Sequence, residues 1–151
     1  MPADNITIAY LAMTDGRFLR LDVSHSKHMG GFVLSAVPFT VDPDGNESCD
    51  LFRDMTNSMT PIEAAPRFNA KRLAQVAAMV HADLMHADGW TNAGVAAKID
   101  AKGGAGLSAL SAPFALRNPT TGAWSMWRAC VGTDARSKLD AIRMARALAA
   151  A

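Results

Sequence analysis

Along the first third of the chain, apolar and polar side chains alternate with the period of β-strands. In Asn5–Met13, Ile6, Ile8 and Tyr10 alternate with Thr7, Ala9 and Leu11, which predicts a strand buried on at least one face. Asp15-Gly16 follows, a dipeptide that supplies the positive φ angles a two-residue hairpin turn requires. The return strand sets Leu19, Leu21 and Val23 on one face and Arg20 and Asp22 on the other. After a loop at 25–31, a third strand from Phe32 to Val41 carries Val33, Val37, Phe39 and Val41 on one face. Pro38 has no amide hydrogen to give to a ladder, so an edge position or a bulge is expected there. Pro43-Asp44-Gly45-Asn46 is a turn, and 48–53 is expected to pair back as a short fourth strand.

The period then lengthens. Thr60-Pro61-Ile62-Glu63 reads as a helix start, with Thr60 as cap, Pro61 at the first helical position and Glu63 where a capping box wants a carboxylate. Pro66 is expected to stop that turn. Asn69 then caps a main helix running to about Ala87 and ending at Gly89. At 100° per residue, Leu73, Val76, Ala77, Val80, Leu84 and Ala87 share one arc, the expected core face, while Met79 and Met85 flank it on opposite sides. A shorter helix is expected over 91–102, with Val95 and Ile99 inward. Leu107–Leu116 and Ala123–Val131 predict a hairpin around Asn118-Pro119-Thr120-Thr121-Gly122. A last helix is expected from Asp134, as its cap, to about Ala150, with Leu139, Ile142, Ala145 and Ala149 inward.

Strands and helices are thus segregated, which predicts the α+β class: an antiparallel sheet of about four to six strands with two or three helices. The 151 residues are the size of one domain. Within it, 34–43 resembles 110–119, and each segment is followed by an alanine-rich helix with a basic start, Lys71-Arg72-Leu73 and Arg136-Ser137-Lys138-Leu139. This raises a strand–turn–strand–helix duplication over 31–88 and 106–151, against chance similarity, with the two units packed as pseudo-twofold halves of one sheet.

Half the residues are hydrophobic and 19% are charged, a balance that excludes wholesale disorder and coiled coil. No apolar run reaches the ~18 residues of a membrane span, and the first five residues lack the basic-then-apolar form of a secretory signal. Two cysteines, Cys49 and Cys130, are too few for a disulfide scaffold, so a cytoplasmic setting is expected. Alanine at 29 positions and ten Arg against five Lys suggest GC-rich coding, bacterial or from a bacterial virus. Charge is uneven along the chain. Residues 1–100 carry eight basic and twelve acidic side chains, and 101–151 carry seven basic and two acidic, so an acidic front is joined to a basic back.

Complete catalytic patterns are missing. His81 and His86 are five apart, about 140° around a helix, and cannot chelate one ion as an i, i+4 pair would. His25 and His28 lie in a loop and read as solvated or hydrogen-bonded, and no metal or cofactor is expected. The run Asp42–Asn46 has its glycine fourth and Arg53 twelfth, which fails the calcium-loop pattern. Lys102-Gly103-Gly104-Ala105-Gly106 leaves a helix for a strand, the reverse of a phosphate loop. Ser108 and Ser111 lack a nucleophile elbow, and Cys130 reads as a small apolar residue in mid-strand.

What remains is the basic C-terminal third, where Trp124, Trp127 and Arg128 share a strand, Arg117 lies by its turn, and Arg136, Arg143 and Arg146 belong to the last helix. Trp124 and Trp127 are three apart and should face opposite sides of a regular strand. The leading expectation is a small non-enzymatic protein that docks on a protein partner, of the accessory or inhibitory kind that phages and plasmids encode. Those C-terminal residues are its candidate surface, with Met79 and Met85 as weaker contributors. Self-association is an open possibility. The alternative is a nucleic-acid-binding module, in which the same aromatics stack bases and the arginines meet phosphates. A small enzyme with a distributed site is the third reading.

Overall fold

The computed structural model describes residues 4–13, 15–49, 59–85, 113–128 and 130–151. Among them run β1 (Asn5–Ala12), β2 (Phe18–Ser26), β3 (Gly31–Val41), β4 (Glu47–Ser48), β5 (Met59–Ala64), α1 (Ala70–Met85), β6 (Phe114–Arg117), β7 (Trp124–Arg128), β8 (Val131–Ala135) and α2 (Lys138–Ala149). The strands form one antiparallel sheet in the order β4-β3-β2-β1-β6-β7-β8, with β5 also paired to β3. The α+β class and the antiparallel sheet are therefore as expected. Among the described residues the sheet has eight strands rather than four to six, and two helices are present. The helix expected over 91–102 lies outside those residues.

Period-2 patterning accounts for both faces of the sheet. Leu19, Leu21 and Val23 of β2 and Leu34 and Ala36 of β3 point to one side, where α1 lays down Leu73, Val76, Ala77, Val80 and Leu84. These are five of the six positions in the arc expected from sequence; Ala87 is not among the described residues. Asn69 caps α1 as expected, its side-chain oxygen accepting from the Arg72 N–H at 3.1 Å. On the opposite side, Phe18, Val37, Phe39 and Val41 join Ala115 and Met126 beneath Ala141, Ile142 and Ala145 of α2. Leu139, expected inward, is only half-buried, and Ala149 is exposed.

On each side of β1 three strands lead to a helix, and the short β4 adds a fourth strand on the β3 side. β2, β3 and β5 lead to α1 over one face, and β6, β7 and β8 lead to α2 over the other. This correspondence sets β3 against β7. The sequence similarity sets 34–43 against 110–119, of which 110–112 lie outside the described residues.

Three expectations are corrected. Residues 59–64 are a strand, because the N-terminal half of β3 offers a row of backbone groups that β5 pairs from Gly31–Ala64 to Ser35–Met59. An isolated four-residue helix would instead bear the nucleation cost with little return. The bulge in that ladder skips Ile62, next to Pro61. The last helix begins later than Asp134, which lies in β8 opposite Ser125. Ser137 is the cap, accepting from the Asp140 N–H, while the Asp140 carboxylate accepts from the Arg136 N–H at 2.9 Å. Cys130 is not in mid-strand but in the tight turn between β7 and β8, exposed and at φ 71°. The first hairpin is also one residue longer than Asp15-Gly16 alone implies: Met13 N–H donates to Arg17 C=O, and Gly16 takes φ +86° within the turn.

Pro38 lies where β3 has no partner on its outer edge among the described residues, since β5 pairs β3 up to Ser35 and β4 pairs it at Thr40 and Val41. The turn after β3 is closed by Asp42, whose carboxylate accepts from the N–H groups of Asp44 and Asn46. That turn rests on α2: a Cβ on Gly45 would stand 3.2 Å from Leu139. Arg143 donates to the Pro43 carbonyl at 3.0 Å, and Arg146 donates to the Val41 carbonyl. The β3–β4 hairpin thereby clamps the last helix to the sheet.

Candidate functional site

α2 covers β1, β6 and β7 on the second face, and beside it the sheet carries polar side chains. A bulge in β1 creates this patch. Thr7 pairs with Asp22 and Ala9 with Leu21, so Ile8 is the extra residue, and Thr7 and Tyr10 both reach the second face although they are three apart. Opposite them on β2 stand Asp22 and Arg20.

These groups form one network. Thr7 Oγ1 donates to Asp22 Oδ1 at 2.6 Å, and Arg20 Nε donates to Asp22 Oδ2 at 3.0 Å. Arg20 Nη1 reaches Glu47 Oε1 at 3.5 Å, and Lys138 Nζ donates to Glu47 Oε2 at 2.8 Å. The Tyr10 hydroxyl also donates to Glu47. The Arg20 guanidinium lies over the Phe39 ring at 3.9 Å, and the Lys138 ammonium lies 5.5 Å from the Tyr10 ring. Two cations and two carboxylates offset each other in a partly buried network.

The titration of these groups follows from their surroundings. Burial pushes the Asp22 carboxyl above its usual range, and Thr7 and Arg20 offset only part of that. Burial also acts to raise Glu47, but donation from Lys138 and Tyr10 outweighs it and holds the carboxyl below its usual value. Burial, with Glu47 alongside, raises the Tyr10 phenol far above its ordinary value, so Tyr10 stays a protonated donor.

Next to the network a groove of about 410 Å³ opens between Thr7, Tyr10, Lys138, Arg117 and Trp124. The Trp124 and Tyr10 rings are tilted against each other with centroids 6.0 Å apart. Arg117 projects from the end of β6, paired in register with Trp124 on β7. Its guanidinium makes no ion pair or hydrogen bond among the described residues. The turn that joins the two strands is held by Asn118, whose side chain accepts from the Thr120 and Thr121 N–H groups. A second hollow of about 260 Å³ lies over Arg20, Asp22, Ser24 and Ser35, and Asn5 borders both.

Of the residues singled out from sequence, the structure brings Arg117 and Trp124 together in this groove. Trp127 faces the other side of the sheet, as the strand period requires, packed on the first core with its Nε1–H donating to Ser125 Oγ at 2.8 Å. Arg128 is exposed at the far end of β7, beside Leu148 and Ala149 of the end of α2. Arg136 is exposed just before α2. Arg143 and Arg146 are held by the β3–β4 hairpin, and Arg146 also lies over Phe18 at 5.2 Å. Met79 is exposed on α1, while Met85 packs against the first core.

Sequence reasoning missed Thr7, Tyr10, Arg20, Asp22, Glu47 and Lys138. The available signal was Arg20 and Asp22 in a strand whose neighbours on both sides are strongly apolar, a setting in which polar side chains need dedicated partners. His25 Nε2–H donates to the Ala65 carbonyl at 2.9 Å, and the ring meets Phe32 and Phe68 edge-on. Burial lowers the pKa of His81. Among the described residues, no group of three or more His, Cys, Asp or Glu side chains is placed to hold a metal ion. None of the helices there is long and apolar enough to cross a membrane.

Comparison with protein-family models, with curated proteins and with solved structures gives no significant match to this chain.

Proposed function

We propose that this chain is a binding protein that docks on a protein partner through the groove between Trp124 and Arg117 and leaves covalent bonds untouched. One observation carries the reading: an aromatic pair and an arginine with no described partner line a hollow, next to a network whose carboxylates are already taken up by donors. Tryptophan, tyrosine and arginine contribute most at the centres of protein interfaces. In this reading Arg117 receives a carboxylate of the partner, and Trp124, backed by the buried Tyr10 ring, receives an apolar or aromatic side chain beside it. The rigid network behind them keeps the groove shaped before the partner arrives, which limits the ordering cost of association. In this reading the role is accessory or inhibitory, exerted by covering the partner's surface.

The test is capture of a partner from bacterial lysate by the wild-type chain and by Trp124→Ala and Arg117→Ala. The groove reading expects both variants to stay folded and lose the captured protein. Retention of the same partner by both would refute it.

A second reading is favoured by the exposed part of Trp124: a base stacks on it while Arg117 and Arg136 meet phosphates. Two phosphate contacts would give a log–log salt slope of roughly −1.5 to −2, since Lys138 is taken up by Glu47. Arg143 and Arg146 do not add to that count, because they are bonded to backbone carbonyls of the β3–β4 hairpin. Single-stranded DNA or RNA binding with that slope, abolished by Trp124→Ala, would favour this reading over the first.

A further inference from the structure

Among the described residues β8 ends the sheet, and all but one of its five residues are exposed, with Val131 at 67%. Its hydrogen-bonding phase follows from the turn before it. Arg128 and Val131 pair across a two-residue connection, so that pair must exchange both backbone bonds, and the pattern alternates from there. Met126–Thr133 is therefore a bonded pair and Trp127–Gly132 is not. The N–H and C=O groups of Gly132 and Asp134 consequently point outward from the sheet. An edge of this kind is a template for another strand.

The edges elsewhere are guarded. β5 carries Pro61 and a Glu63 ion-paired to Arg72 of α1, and β4 is only two residues long. β8 has neither proline nor lysine, and its one charge is Asp134.

We propose that β8 pairs antiparallel with β8 of a second copy of this chain, centred on Thr133. Three self-registers deserve comparison. Centring on Asp134 sets two like charges directly opposite, which is destabilising. Centring on Gly132 sets Asp134 against the turn residue Cys130. Centring on Thr133 sets each Asp134 opposite a Gly132 of the other copy, and these are the residues whose backbone groups point outward. That register completes two bonded pairs, opposes Thr133 to itself as a close non-bonded pair, and lays Val131 against Ala135. The sheet then continues across a twofold axis from one copy to the next, and the isologous contact closes at a dimer. Short pairing of this kind, without a large apolar face, is weak and depends on concentration.

The experiment is sedimentation equilibrium of the full chain over a wide concentration range, with Thr133→Asp, Thr133→Lys and an equimolar mixture of the two. Thr133 is exposed, so both variants should keep the circular dichroism and thermal midpoint of the wild type. Wild type should rise from 16.0 kDa toward twice that mass. Each variant alone should weaken association at least tenfold, because like charges meet at the axis, and the mixture should restore it. A wild type that keeps one-chain mass throughout, or a dimer that both variants form as readily as wild type, would overturn the proposal. The groove is separate: Trp124→Ala should leave the dimer unchanged.

Discussion

Glu47 joins four elements through one carboxylate, and its replacement by glutamine gives a direct test of how the second face is held. The side chain receives Lys138 at 2.8 Å from α2, Arg20 at 3.5 Å from β2 and the Tyr10 hydroxyl from β1. A charge-assisted hydrogen bond contributes about 1.5–3 kcal/mol when well shielded. The Lys138 side chain is 39% exposed and Glu47 18%, so water screens part of that, and the Arg20 contact is at the limit of bonding distance. Glutamine keeps one acceptor oxygen but turns an NH₂ toward a cation. The expected loss for Glu47→Gln is therefore about 1–2 kcal/mol at pH 7, read as a lower urea midpoint with an unchanged slope.

The pH dependence carries a sign. Lys138 and Tyr10 hold the folded-state pKa of Glu47 below its ordinary 4.5, despite the opposing effect of burial. The unfolded chain then binds this proton more readily, so the stability from Glu47 is complete above about pH 4.5 and is lost as pH falls through the folded value. Asp22 has the opposite sign, since burial raises its pKa above 3.8, and its contribution grows as pH falls. Asp22 is present in both proteins, but Glu47→Gln removes the Glu47 charge that helps to raise its pKa, so a small part of its pH dependence stays in the comparison alongside that of Glu47. Urea unfolding followed by circular dichroism at several pH values between 7 and 3 should show the gap between wild type and Glu47→Gln closing below pH 4.5. A gap near zero at pH 7, or one of equal size across the whole range, would refute the account.

Three further outcomes follow from packing and backbone geometry. Leu73→Ala removes a fully buried side chain between α1 and the sheet and should cost about 2–5 kcal/mol in urea unfolding. Gly132→Ala should displace Trp127, because its Cβ would fall 2.4 Å from the indole; a change in tryptophan emission and a loss of about 1–3 kcal/mol are expected. Cys130→Gly should raise stability by about 0.5–1 kcal/mol, since glycine adopts φ 71° without the steric cost of a side chain, and a lower thermal midpoint would contradict this.

Much of the scaffold was legible from local pattern. The β1–β2 hairpin, the eleven-residue third strand and the inward arc of α1 follow from period 2, period 3.6 and an Asn cap, all of which act over a few residues. The opposite facing of Trp124 and Trp127 follows from the same strand period. The two misread segments failed for a shared reason. Thr60–Glu63 and Asp134 carry true helix-start chemistry, but a neighbouring strand offered more backbone bonds than a short helix turn could. Local propensity is a weak preference beside a ladder of paired amides.

The groove was much less visible. Trp124 and Arg117 stood out as residue types, but Thr7, Tyr10, Arg20, Asp22, Glu47 and Lys138 come from three strands and a helix spread over 132 positions. The bulge at Ile8, which turns Thr7 and Tyr10 to one face, leaves no mark in the alternation of side chains. The same holds for the arginines of α2, which look like a basic surface until the β3–β4 hairpin is placed beside them. The amino-acid sequence alone determined which segments hide an apolar face and where the chain turns, because those depend on neighbours along the backbone. Which strands lie side by side, and hence which charges meet and which stand open to a partner, was decided only by the tertiary structure, because electrostatic and hydrogen-bonding contacts depend on distance in space.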